Sequence, residues 1–169
     1  MKRRKFIIGT GALAAGGVAA LGTGAFNFAD VKRGIDVNVT DDASAFLALE
    51  DTSDYADGSG DQLQINFDGD GLNGDLDYSF TGVFAIRNQG SQSVGVWLED
   101  DDNNDAVQWY GADNDDTSNF DTSIEDSADA YALNPGEEVY VNVVVLLQDN
   151  DESDLPQTLN VKADASAGN

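Results

Sequence analysis

The chain has 169 residues, no cysteine, no histidine, and a formal net charge of −24 from 32 acidic and 8 basic side chains. Without cysteine there is no disulfide framework and no lipid-modified cysteine anchor; without histidine there is no Ser-His or Cys-His nucleophile system and no His-based zinc or iron site. The acidity also excludes nucleic acid and anionic lipid headgroups as partners, because like charges repel.

The N-terminus opens with Lys2, Arg3, Arg4 and Lys5, followed by an uncharged, Gly- and Ala-rich run from Phe6 to Ala29. A positive start, an apolar middle and small residues around Thr23-Gly24-Ala25 predict a signal peptide over 1–25, helical while it is read. The "RRKFI" stretch fits the twin-arginine route, and the many glycines keep the apolar run weak. The alternative is an uncleaved N-terminal anchor, since the run exceeds the roughly 20 residues that span a bilayer; this segment is the chain's one route to a membrane. All 32 acids follow residue 25, so four cations (Lys32, Arg33, Arg87, Lys162) face 32 acids and the exported 144 residues carry −28. Such a surface resembles that of haloarchaeal proteins and needs salt to screen its self-repulsion. The expected location is extracellular or cell-surface.

Next comes "AFNFADVKRGIDVNVTDD", in which Phe26 and Phe28, then Ile35, Val37 and Val39, alternate with polar residues. That is the period of a half-buried strand. Apolar residues at a chain tip need a place to be buried, and a second molecule offers one. Residues 26–34 are therefore set apart as a terminal strand (Phe26, Phe28, Val31) and a Lys32-Arg33-Gly34 hinge. Residues 35–169 are read as one β-sandwich domain, long enough for a single core.

Within it, strands are predicted over 35–40, 44–50, 62–67, 83–88, 93–99, 106–110, 129–133, 138–148 and 157–163, divided by Gly, Asp, Asn and Ser clusters. A short helix is allowed near "DTSIEDSAD". Eight to nine short strands with regular turns predict an all-β, jelly-roll-like antiparallel sandwich. Val139, Val141, Val143, Val145 and Leu147 give the longest alternation, which suits a central strand.

Three patterns bear on chemistry. In "NFDGDGLNGDLD", Asn66, Asp68 and Asp70 fall at positions one, three and five of a calcium loop, Gly71 at six and Asp77 at twelve. Asn at one and Asp rather than Glu at twelve depart from the pattern, and an acidic Gly-rich turn is the competing reading; Ca²⁺ is the one cofactor the sequence raises. Asn38-Val39-Thr40 is an N-glycosylation sequon on the polar face of the first strand. Trp97, Trp109 and Tyr110 form either a binding platform or part of the core. Among 32 acids no pair stands out as catalytic, and no enzyme activity is expected.

Three stretches, "GTGAFNFADVKRGIDVNVTDDASAFLALE", "FAIRNQGSQSVGVWLE" and "YALNPGEEVYVNVVV", resemble a domain family of unknown function in haloarchaeal secreted proteins. That family is similar to the TasA/camelysin group of biofilm-fibre and cell-surface jelly rolls. The resemblance covers most of residues 20–165. It implies a homopolymer, or assembly with related surface subunits, by donation of an N-terminal strand to a neighbour: here Phe26–Val31, extending as far as Val39. Camelysin's peptidase activity is not implied, because the chain lacks histidine. A monomeric secreted or surface-anchored binding module, calcium-dependent or not, is the alternative.

The charge generates the first prediction. Thermal melts should show Tm climbing steeply between about 0.1 and about 3 M KCl, as the Debye length shrinks from about 10 Å to a few ångströms. A flat Tm would remove the salt-adaptation reading.

Overall fold

A computed structural model describes residues 34–39, 46–60, 62–67, 72, 74–101, 105–113 and 117–167, apart from the side chain of Glu152. The signal segment, the terminal strand with Phe26, Phe28 and Val31, and Asp68 and Asp70 lie outside the described residues.

Within them the chain is all-β, as predicted. The strands are β1 (Gly34–Val39), β2 (Leu47–Asp51), β3 (Ala56–Asp57), β4 (Leu63–Asn66), β5 (Asp77–Asn88), β6 (Val94–Asp100), β7 (Val107–Ala112), β8 (Tyr131–Leu133), β9 (Glu138–Leu146) and β10 (Thr158–Asp164). They form two sheets, a six-stranded one in the order β3-β4-β1-β10-β6-β8 and a four-stranded one in the order β2-β5-β9-β7. The helix allowed near 121–129 is a single 3-10 turn, Ser127–Asp129, whose start is capped by the Asp126 carboxylate.

The expected antiparallel order fails at one pairing: β1 runs parallel to β10, with Val37 opposite Leu159 and Val39 opposite Val161. Parallel neighbours cannot be joined by a hairpin. Here the first and last strands are the neighbours, and the rest of the described chain is the connection between them.

The core lies between the sheets. Val139, Val141, Val143 and Val145 of β9 are fully buried, each worth roughly 1.5–3 kcal/mol of burial. They face Val96, Leu98, Leu159 and Val161 of the six-stranded sheet, which are equally buried. β9 is interior to its sheet, paired with β5 and β7.

The strand β5 runs six residues further toward the N-terminus than the 83–88 alternation predicts. A register shift between Phe80 and Phe84 marks a bulge, and Gly82 in it takes a positive φ of 56°, a backbone conformation glycine adopts without strain. Residues 81–83 together stand opposite Asn142, an insertion of two residues that keeps the phase of the alternation, so Tyr78 and Phe80 face inward with Phe84 and Ile86.

The N–H of Gly82 is taken up by a side chain, donating to Asn142 Oδ1 at 2.6 Å. Asn142 is fully buried, and its Nδ2 donates to the carbonyls of Thr117 and Asn119, each at 2.7 Å. One amide thus ties the bulge to the segment that crosses the outer face of the four-stranded sheet. That segment then lies along β7, with Gly111 N–H donating to Thr122 O and Ile124 N–H to Trp109 O. Asn88, also buried, does the same at the other end: its Nδ2 donates to Gln92 O and Leu133 O and its Oδ1 accepts from Gly90 N–H.

Replacing Asn142 with Ala strands a buried N–H and two carbonyls, and should cost about 2–4 kcal/mol. Hydrogen exchange should then accelerate first in residues 117–124. A loss under about 0.5 kcal/mol, within the usual range for surface changes, would show that water replaces the amide.

Candidate functional site

One flank of the sandwich is open. β2 is the edge of the four-stranded sheet, and it pairs only with residues 84–88 of β5, so the first half of β5 has no strand on that side among the described residues. Leu47 and Leu49 of β2 point into the sandwich, opposite Asn88 and Ile86, yet are only partly buried. Across from them stand β1 and β4, and between lies a groove of about 450 Å³ whose apolar wall is Val37, Val39, Leu47, Leu49 and Leu63.

Among the described residues the chain crosses this flank from β2 to β3. Thr52 Oγ1 and Ser53 Oγ donate to the carbonyls of Gly82 and Val83, at 2.7 and 2.9 Å, which stitches the crossing to β5. Beyond it, Tyr55 meets Phe80 edge-on at 4.8 Å between ring centres, and Phe80 stacks on Phe67 at 4.5 Å. These rings come from the crossing, from β5 and from the end of β4, so they bridge the two sheets. Offset and edge-on pairs of this kind add to simple burial.

The four exposed large apolar side chains among the described residues are Val39 (41%), Phe46 (61%), Tyr55 (37%) and Leu76 (50%). Val39 ends β1, Phe46 enters β2, Tyr55 lies in the crossing and Leu76 enters β5. All four belong to strands or connections that border the open flank.

Of the predicted calcium ligands, Asn66 ends β4 in the six-stranded sheet and Asp77 begins β5 in the four-stranded one. Asn66 lies over Gly34, where a Cβ would sit 3.0 Å from its Oδ1. Asp77 accepts from the backbone N–H and the Nε2 of Gln148. Among the described residues no group of three or more acidic side chains is placed to hold a metal ion. Asn38 is half-buried on the outer face of β1, as its alternation predicts, and its Oδ1 accepts from Gln62 Nε2 at 2.6 Å.

The aromatic platform does not form. Trp109 is a core residue, 1% exposed, and its indole N–H donates to Asp100 at 2.6 Å. Trp97 is half-buried, and its indole N–H donates to Glu99. Tyr110 sits in the other sheet against Phe120, their rings edge-on.

Two further acidic places were not legible from spacing. Beside Trp109, the Glu125 carboxylate accepts from Ser123 Oγ and the Trp109 N–H. Burial raises its pKa, opposed by those hydrogen bonds and reinforced by the charges of Asp100 and Asp105. Near β8 a second groove, about 540 Å³, is bordered by Arg87, Tyr131, Glu137 and Glu138. Burial and the hydrogen bond to Asp113 push the Tyr131 hydroxyl up to about 12, so it stays protonated.

Comparison with known protein families, curated proteins and solved structures gives no match. Among the described residues no helix is long and apolar enough to cross a membrane.

Glu125 sets a pH dependence. Its folded pKa lies above the ordinary 4.5, so the ionised form costs stability at neutral pH. That cost is relieved as pH falls through the folded value toward the unfolded one. The protein should therefore gain stability on mild acidification, and Glu125→Gln should raise Tm at pH 7 and flatten that rise. A variant less stable than the parent at pH 7 would show that the carboxylate's hydrogen bonds outweigh its desolvation.

Proposed function

We propose that the chain is an exported, non-enzymatic structural subunit of a cell-surface filament or biofilm matrix in a halophile, assembling by addition of a neighbour's strand. The observation that carries this reading is the open flank, where β2 has no further strand beside it among the described residues and Val37, Val39, Leu47, Leu49 and Leu63 wall an apolar groove. Isolated exposed apolar residues are ordinary, but an apolar groove beside an unpaired strand marks an interaction surface.

The N-terminal segment supplies a matching part. Phe26 and Phe28 are two residues apart, so in a strand they share one face. Left in water, each forgoes roughly 1.5–3 kcal/mol of burial. Head-to-tail addition of such a segment to the next copy does not close on itself, and gives fibres rather than dimers. Export through the twin-arginine route delivers the subunit already folded to the salt that its −28 surface calls for.

A monomeric surface-bound module is the second reading, and the groove by β2 is the observation in its favour, since a small ligand could occupy it.

Removing residues 25–31 separates the two. The exported protein should polymerise at high salt, seen by light scattering and negative-stain imaging, while the truncated protein stays a soluble monomer. If the exported protein remains monomeric at about millimolar concentration in high salt, beyond the Kd of even a weak contact, the filament reading fails.

A further inference from the structure

The two outer faces of the sandwich differ. The four-stranded sheet is crossed by the segment that Asn142 holds through the carbonyls of Thr117 and Asn119. On the six-stranded sheet the turn after β10 lies over one end, where a Cβ added to Gly95 would meet the Ala167 carbonyl carbon at 2.7 Å. Away from that end the outward side chains of β4, β1, β10 and β6 are half-buried or exposed.

Their chemistry departs from the rest of the chain. Over the whole sequence 32 acids outnumber 21 amides. At the outward positions of these four strands, with Gln62 just before β4, the order reverses: five amides (Asn38, Gln62, Gln64, Asn66 and Asn160) stand with three acids. The register sets them in rows across the strands. Gln64 is opposite Asp36 and Asp36 opposite Thr158, while Asn38 is opposite Asn160 and Asn160 opposite Glu99.

The three acids are engaged within the molecule. Asp36 Oδ1 accepts from Gln64 Nε2 at 2.9 Å. Glu99 accepts from the Trp97 indole N–H at 2.9 Å and lies 3.7 Å from the ammonium of Lys162, the residue opposite Trp97. Asp164 accepts from the N–H and Oγ of Ser166. The amides are less committed. Gln62 Nε2 donates to Asn38 Oδ1 at 2.6 Å, which leaves the Asn38 NH₂ and the Gln62 carbonyl, and Asn160 makes no side-chain hydrogen bond among the described residues. An ionised carboxylate only accepts and an ammonium only donates, but an amide does both, as a hydroxyl does.

We infer that the outer face of β4-β1-β10-β6 binds a neutral polysaccharide, with its amides on sugar hydroxyls and Trp97 against a sugar ring. Other occupants fit less well. Anionic polymers are repelled by a chain of net charge −24. A cationic partner gains more from the carboxylates that crowd the loops than from a face rich in amides. An apolar protein surface finds Trp97 as the one large apolar side chain among the outward residues of these strands. Four strands make a face roughly 14 Å across, which engages an extended chain along its length, whereas a small molecule is held by enclosure in a pocket. The inference uses neither β2 nor the N-terminal segment, so it goes beyond the filament reading and does not rest on it.

Retention on insoluble polysaccharide tests it. The exported protein is incubated at high salt with cellulose, chitin or mannan, with sulfated-dextran beads as the anionic counterpart, or with no polysaccharide to read self-association alone. Retention is expected on at least one of the three neutral polymers and not on the sulfated one. Trp97→Ala, and separately Gln62→Glu combined with Gln64→Glu, should each weaken retention about tenfold or more. Gln89→Glu combined with Gln92→Glu adds the same charge in the exposed turn between β5 and β6 and should leave retention unchanged. Thermal melts verify that each variant folds, and if Trp97→Ala does not, the Gln62/Gln64 pair decides. No retention on any neutral polymer, equal retention on sulfated dextran, or retention undiminished in the face variants overturns the inference, as does a loss matched by the turn variant. An intact mass that shows a sugar attached at Asn38 also overturns it, since the face would then carry its own glycan. None of these outcomes bears on whether filaments form, which the sample without polysaccharide reads separately.

Discussion

The need to satisfy backbone groups at the sheet edges governs this molecule. A β-sandwich buries its core simply by stacking two sheets, but each outermost strand still presents a row of N–H and C=O groups. This chain meets that need unequally. It shortens β3 and β8 to stubs, and it lays residues 122–124 along β7. Holding that cover in place requires Asn142, which spans from the Gly82 bulge to the carbonyls of Thr117 and Asn119. The bulge, the buried amide and the covered edge are therefore one device. Among the described residues nothing comparable stands over β2, and the flank beside it is where Leu47, Leu49 and Phe46 remain partly or wholly in contact with solvent.

Charge does little to hold the fold together. Arg87 and Lys162 are the two basic side chains among the described residues, one in each sheet. Arg87 lies between Glu50 of β2 and Glu138 of β9 and so joins three adjacent strands; Lys162 reaches Glu99 at 3.7 Å. Exposed pairs of this kind are worth about 0–1 kcal/mol each. Against them stands the repulsion of the remaining carboxylates. Some of these are put to local use: Asp101 loses something to burial, but the hydrogen bonds from Thr158 and Gln157 more than compensate and lower its pKa, pinning the start of β10 to the end of β6. Net cohesion comes from the apolar layer, which is why β9 is valine at every inward position from 139 to 145.

What the sequence made legible follows from how each signal is generated. The alternation in β1, β6, β9 and β10 reflects one face in the core and one outside, and these strands lie within a residue or two of their predicted bounds. The N-terminal half of β5 was not legible, because the bulge at Gly82 inserts two residues into the run, although Tyr78, Phe80, Phe84 and Ile86 keep one phase. β3 was not legible because two residues carry no period. The parallel pairing of β1 with β10 is a contact between the ends of the domain, and no local pattern encodes it. At the candidate site the apolar members Val37, Val39, Leu47 and Leu49 fall within predicted strands, but their shared incomplete burial depends on which strand is the edge. Trp109 read equally well as platform or core; its inward position beside the fully buried β9 valines decides for core.

The same charge that weakens the fold sharpens where copies of it can meet. Each copy, of formal net charge −24, repels its like over the whole Debye length, and added salt shortens that reach without creating attraction of its own. Salt therefore permits contact everywhere but favours it only where apolar area is available to be removed from water. On the described surface one such place is the apolar groove beside β2, walled by Val37, Val39, Leu47, Leu49 and Leu63. Dense carboxylates elsewhere then act against misplaced contacts, since two acidic faces brought together gain no burial in exchange for their repulsion. On the filament reading proposed above, an acidic coat and an uncovered edge would be complementary: the first would oppose misplaced contacts, and the second would confine association to a single direction.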